Sequence, residues 1–194
     1  AIVGSRLLYV LIHPEYFWEN PLHIIQFWKG GLVFLGGAIV GTIVALVYLN
    51  YKNQSFWSWA DAFAPGIAAG QAVGRIGCLM AGCCYGEICS LPWAITFTDP
   101  NTLAPAGIPL HPTQIYHSLA GIVTFLLLVA FRNKTRISGH LFAMLLVVYG
   151  IFRFTIEFFR GDDRGFIWLL STTQYLSLGI ILLGIIIFAY KRSA

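Results

Sequence analysis

Residues 139–158 read GHLFAMLLVVYGIFRFTIEF, twenty residues broken by only two charges, Arg153 and Glu157. At about 1.5 Å of rise per residue, such a run is long enough to cross the roughly 30 Å hydrocarbon core of a bilayer as a helix. Stretches of the same kind run from Gly31 to Asn50, Thr113 to Phe131 and Thr172 to Tyr190. A weaker one, Asp61 to Ala81, is glycine-rich and holds Pro65, Gln71 and Arg75, so it needs protein or a water-filled cavity around it at membrane depth. Ala1 to Ile12 is a partial span. The pattern predicts an all-α polytopic membrane protein with about six visible spans, the first partial. Composition agrees: 58% of residues are hydrophobic and 10% charged, against about 25% charged in soluble domains. The net charge of +4 is modest, and no basic patch interleaved with aromatics points to nucleic acid.

The chain opens AIVGSRLLYVLI, apolar and without Met. It reads as the end of a helix whose beginning is missing, within one N-terminally truncated domain over 1–194. Residues 83–112 carry Pro and Gly punctuation and form a cap, in which WAITF predicts a short strand. If the spans alternate, Lys52, Arg132, Lys134, Arg136, Lys191 and Arg192 share one side. Lys29, Arg160 and Arg164 lie opposite, diluted by Glu15, Glu19, Glu87, Asp99, Asp162 and Asp163. Positive loops stay cytoplasmic, so the C-terminus is expected inside and the cap outside. Trp18, Trp28, Trp57, Trp59, Trp168 and Tyr190 near span ends fit an aromatic belt.

Charges inside spans are costly, so each calls for an account. Arg6 lies in the partial span. Arg153 and Glu157 are spaced i,i+4, and Glu157 and Arg160 i,i+3, which places all three on one helix face. Arg75, in GQAVGRIGCLMAG, has no acidic residue near it in sequence. A guanidinium among glycines suits an external anion, since it donates in pairs to phosphate while the backbone approaches closely. Tyr149 precedes Arg153 by one turn and can donate to the same anion. These residues suggest a phospholipid phosphate site; a chloride or organic-anion pathway has the same signature. At the mouth of a span stands HPTQIYH, with His111, Gln114, Tyr116 and His117, and with Pro112 expected in the first helical turn. Cys78, Cys83, Cys84 and Cys89 lack the paired C-x-x-C spacing of a zinc site. A disulfide from Cys83 or Cys84 to Cys89 is the easiest geometry in an oxidising compartment. No metal or cofactor is expected.

These motifs carry a resemblance. GQAVGRIGCLMAGCCYG resembles the signature G-R-x-G-N-F-x-N-x-E-x-x-G of the prolipoprotein diacylglyceryl transferases, through Gly74, Arg75, Gly77 and Gly86. WKGGLVFLGGAIVG, HPTQIY and YGIFRFTIEFFR resemble three further segments of that family, in the same order. The resemblance implies transfer of the diacylglyceryl group of phosphatidylglycerol to a lipobox cysteine of a prolipoprotein, by a multi-pass enzyme of the bacterial inner membrane, with the prolipoprotein signal-peptide region and membrane lipids as partners. It implies catalytic roles for Arg75, Arg153, Tyr149 and His111. Substrate contacts fall to Gly36, Gly37, Gly74, Gly77, Gln114, Tyr116, Glu157 and Arg160. Departures stand at Leu35, where the family has a histidine, at Cys78 and Ala81 in place of asparagines, and at Cys83 in place of glutamate. His111 or His117 then becomes the replacement base. The alternative is a non-catalytic lipid- or anion-binding membrane protein, or a transferase with another acceptor.

Overall fold

In hydrocarbon a backbone must bond to itself, so the apolar stretches fold as helices. The computed structural model describes all residues except Asn20, Arg136, residues 163–165, Trp168 and Ala194. Arg136, Asp163, Arg164 and Trp168, used in the charge and aromatic readings, therefore lie outside the described residues, as do the side chains of Glu19 and Arg192. The helices are α1 (Ile2–Ile12), α2 (Pro14–Glu19), α3 (Phe34–Tyr51), α4 (Phe56–Ala81), α5 (Thr113–Arg132), α6 (His140–Ile156) and α7 (Thr172–Ser193). Among the described residues four are long and apolar enough to cross a membrane: α3, α5, α6 with its extension to Phe159, and α7. The shorter α1 is also apolar, and α4 carries Pro65 internally.

The helices fall into two compact units, Ala1–Phe56 and Trp57–Ala194. In the first, α1 packs on α3 where Gly4 meets Gly36, so closely that a Cβ on either would strike the other's carbonyl oxygen. Glycine permits this backbone approach. Arg6 donates to the carbonyls of His23, Ile24, Gly30 and Gly31 and lies over the rings of Tyr9 and Phe17. Its charge is thus absorbed within this unit.

In the second unit α5 packs on α6 and α6 on α7. Ala64 and Ala68 of α4, Leu128 of α5, and Leu141 and Leu145 of α6 form the core at one end. Towards the other, Ser118 donates to the Ala72 carbonyl at 2.9 Å and Gln114 to that of Cys83 at 2.8 Å. Rising numbers on α5 meet falling numbers on α4, so the two run antiparallel. What is buried is largely small or polar, including Thr113, Gln114, His117, Ser118 and Ser177, while Leu126, Leu176, Leu182 and Ile186 are exposed. That distribution suits lipid as the surrounding solvent.

The expected strand in WAITF forms as β1 (Ile95–Thr96), antiparallel to β2 (Pro109–Leu110). A second hairpin joins β3 (Phe166–Ile167) to β4 (Leu170–Ser171). Two boundaries differ from the sequence reading. Pro112 is the residue before α5, outside its first turn, because Thr113 and Gln114 begin the helix while bonding backwards to the cap. And α4 starts at Phe56, with Asp61 inside it. The carboxylate that looked like a span boundary accepts the N–H groups of Gly139 and Phe142, both at 2.7 Å. Gly139, at the N-cap of α6, has no side chain to cap with, so Asp61 caps that helix from α4. Asp61→Ala should destabilise the protein by about 1–2 kcal/mol, with Asp61→Asn retaining part of the effect, measured by thermal unfolding in detergent. An unchanged midpoint in Asp61→Ala would refute this capping role.

Candidate functional site

The site grows from the end of α6. The α-helix stops at Ile156, continues as one 3-10 turn over Glu157–Phe159, and becomes extended at Arg160 (φ −84°, ψ 139°). Arg153 is buried. Its Nη1 lies 2.9 Å from Nε2 of His117 on α5, and its Nη2 lies 3.5 Å from Oε2 of Glu157. A guanidinium only donates, so His117 presents the Nε2 lone pair to it and keeps its ring proton on Nδ1. The i,i+4 pair expected from the sequence is therefore formed.

Glu157 is held in turn. Its Oε1 accepts from the Ser171 hydroxyl at 3.1 Å. Ser171 N–H donates to Gln174 Oε1 at 2.9 Å, and Gln174 N–H to Ser171 Oγ at 3.1 Å. This reciprocal capping box starts α7 and fixes the hydroxyl that faces Glu157. Ser171 was missed in the sequence reading, although S-x-x-Q ahead of an apolar run was the signal for it. Together His117, Arg153, Glu157 and Ser171 join three helices through buried polar bonds.

Arg160 does not stay on the Arg153–Glu157 face, a correction to the i,i+3 reading. The helix has already unwound there, and Arg160 bridges Gly86 in antiparallel fashion. Its Nε and Nη2 donate to the two carboxylate oxygens of Asp162 at 2.7 and 2.6 Å. Burial lowers its pKa, but its bonds to Asp162 and Cys84 outweigh that and leave it raised. Arg160 Nη1, Glu157 Oε2 and Gln114 Oε1 are buried without a hydrogen-bond partner among the described residues. Such atoms are expected to meet a ligand or water.

The mouth of α5 is tied to the turn after α4. Thr113 Oγ1 donates to the Cys84 carbonyl at 2.7 Å. Gly86 sits where a Cβ would strike His111 and the Phe159 carbonyl, so only glycine lets the turn cross there. Tyr116 OH receives Trp93 Nε1–H at 2.9 Å and lies 3.1 Å from His111 Nδ1. His111 also packs on Phe159, with ring centroids 5.3 Å apart. His111 and Tyr116 thus form a polar and aromatic rim.

Arg75 is half-buried on α4 and makes no hydrogen bond or ion pair among the described residues. It follows Ala72, which meets Ser118, and precedes Cys83, which meets Gln114. That register sets it at the depth of His117, the partner of Arg153. Space beside Gly74 and Gly77 is open. Tyr149 is half-buried, one turn before Arg153. Gly36 and Gly37 are buried against α1 in the first unit, where a Cβ on Gly37 would strike Ser5 Oγ. Their place in that unit is helix packing.

None of the four cysteines forms a disulfide in this structure. The sulfurs of Cys78, Cys83 and Cys84 lie within 4.8 Å of one another. Cys89 is buried in the cap, its N–H donating to the Pro109 carbonyl at 3.1 Å. Burial, then the neighbouring thiols of Cys78 and Cys84, push the Cys83 thiol up to about 11.

Membrane-length helices, a buried arginine bonded to His117 and Glu157, and a second arginine with no partner among the described residues define a polytopic membrane protein. The family profile described as prolipoprotein diacylglyceryl transferase matches residues 1–190. The chain is 38% identical over 192 residues to a phosphatidylglycerol–prolipoprotein diacylglyceryl transferase of Clostridium tetani, covering 99% of this chain and 76% of that protein. Proteins of the same name from Finegoldia magna and Bordetella avium are 39% and 40% identical, covering 99% and 97% of this chain and 75% and 72% of theirs. The chain belongs to the prolipoprotein diacylglyceryl transferase family and is a membrane transferase of that family.

Proposed function

We propose that the protein transfers the diacylglyceryl group of phosphatidylglycerol to the thiol of a lipobox cysteine in a prolipoprotein, at the outward face of a bacterial inner membrane. The reaction breaks the bond between the diacylglyceryl carbon and a phosphate oxygen, forms a carbon–sulfur bond, and releases glycerol phosphate. The observation that carries this reading is the buried Arg153, bonded to His117 and Glu157, at the depth of Arg75, which has no partner among the described residues.

Arg75 and Arg153 hold the phosphate and stabilise the charge that builds on the leaving oxygen. Tyr149 donates from one turn away, and Arg160 Nη1 is a further donor left open. Glu157, fixed by Ser171, keeps Arg153 in position. Leu35 supplies no base. His117 takes that role: when Arg153 turns Nη1 to the phosphate, Nε2 of His117 is released to accept the thiol proton. His111, bonded to Tyr116, guides the acceptor at the rim. Gly74 and Gly77 leave space for the lipid beside Arg75, and the cap over 83–112 covers the outward entry.

On this reading, supported by the bias of positive charge among the loops, Lys52, Arg132, Lys134 and the C-terminus face the cytoplasm. Impermeant thiol labelling of a cysteine introduced at position 134 should fail from outside intact cells; labelling from outside would overturn the orientation. Arg75→Lys and Arg153→Lys each keep the charge but lose the paired donors. Each should lose about 2–4 kcal/mol of transition-state stabilisation, or about 30- to 1000-fold in turnover on phosphatidylglycerol. Near-normal turnover in both would refute the phosphate role. An unmodified full-length protein with no turnover would favour the non-catalytic anion-binding alternative.

A further inference from the structure

The turn between α4 and the cap gathers three thiols that the transfer reaction does not use. Cys78 lies in the last turn of α4, and the N–H of Cys83 closes that helix by donating to the Cys78 carbonyl at 3.1 Å. The chain then reverses through two residues at positive φ, Gly82 at 66° and Cys84 at 61°. Glycine does this freely, whereas a residue with a Cβ does so at a cost of about 1–2 kcal/mol. The strained position at Cys84 presents its sulfur beside those of Cys78 and Cys83, all three within 4.8 Å of one another. The turn is fixed from outside, since Thr113 and Gln114 hold the carbonyls of Cys84 and Cys83. Cys83 Sγ makes a long hydrogen bond to the Cys78 carbonyl at 3.7 Å. The sulfurs are thus gathered and half-buried.

We propose that Cys78, Cys83 and Cys84 together bind one thiophilic d10 metal ion, zinc(II) or copper(I) in type, as three thiolates. Metal–sulfur bonds of about 2.3 Å hold sulfurs roughly 4 Å apart, so side-chain rotation of under about 1 Å closes the set. An all-sulfur site selects soft ions and disfavours magnesium or calcium. Each thiol gives its proton to solvent as the ion binds. Cys89 is outside the set. The C-x4-C-C spacing hid this site, because the sulfurs meet only once the chain reverses at Cys84. The ion then clamps the end of α4 to the turn that carries Gly86 and Arg160.

The inference is independent of the transfer reading and is tested without an activity assay. Full-length protein, reduced and freed of metal under anaerobic conditions, is titrated with zinc(II) alone and with copper(I) alone, then passed through a desalting column for elemental analysis. One ion per chain is expected with at least one of the two, and the preferred ion identifies the type. The bound ion should protect Cys78, Cys83 and Cys84 of the unmodified protein from maleimide alkylation, as read by mass spectrometry, a measurement that needs no variant. Cys78→Ser and Cys84→Ser should weaken binding at least about tenfold, while Cys89→Ser binds like the parent. Substoichiometric binding of both ions, absence of protection, or equal binding in Cys78→Ser and Cys84→Ser would overturn the proposal.

Discussion

A guanidinium cannot lose its charge in a protein, so one buried among membrane helices has to find partners there. Arg153 finds them on two helices, His117 of α5 and Glu157 at the end of its own. Glu157 depends in turn on the Ser171 hydroxyl, which is fixed by the cap of α7. The joint of α5, α6 and α7 is therefore set by one charge and its bonds. Removing one partner of such a buried pair commonly costs about 3–5 kcal/mol, because the other is left uncompensated. On the proposed function the same bonds set where a substrate phosphate meets the protein, so stability and chemistry would share their residues.

The other arginines show that burial alone does not mark a site. Arg6 looked as costly as Arg153 in the sequence, yet four carbonyls and two aromatic rings absorb it within the N-terminal unit. Arg160 is neutralised by a two-pronged bond to Asp162, with only Nη1 left over. Arg75 has no such compensation among the described residues. The distinction lies in which donors remain open, and that information appears only when the chain is folded.

Much of this was legible in the sequence. The spans followed from apolar length, the strand in WAITF from its β-branched and aromatic residues, and the Arg153–Glu157 pair from helical spacing. Local rules failed where a distant element intervened. Asp61 looked like a boundary because its partners, Gly139 and Phe142, lie on another helix. Arg160 left its expected face because the helix unwinds to let Gly86 pair with it. The packing of Gly36 and Gly37 against α1 was likewise not visible in the sequence, and it leaves the substrate role implied by the resemblance untouched. The thiol trio stayed hidden for a related reason, since a positive φ at Cys84 is not a property of the residue type.

The central claim is that two arginines remote in sequence hold one phospholipid phosphate. Native mass spectrometry of the full-length protein, released from bilayers of equal phosphatidylglycerol and phosphatidylethanolamine, tests it most directly. The account predicts one retained lipid, predominantly phosphatidylglycerol, with that preference lost in both Arg75→Gln and Arg153→Gln. Equal retention of the two lipids by the unmodified protein, or a phosphatidylglycerol preference that survives the loss of either arginine, would contradict it.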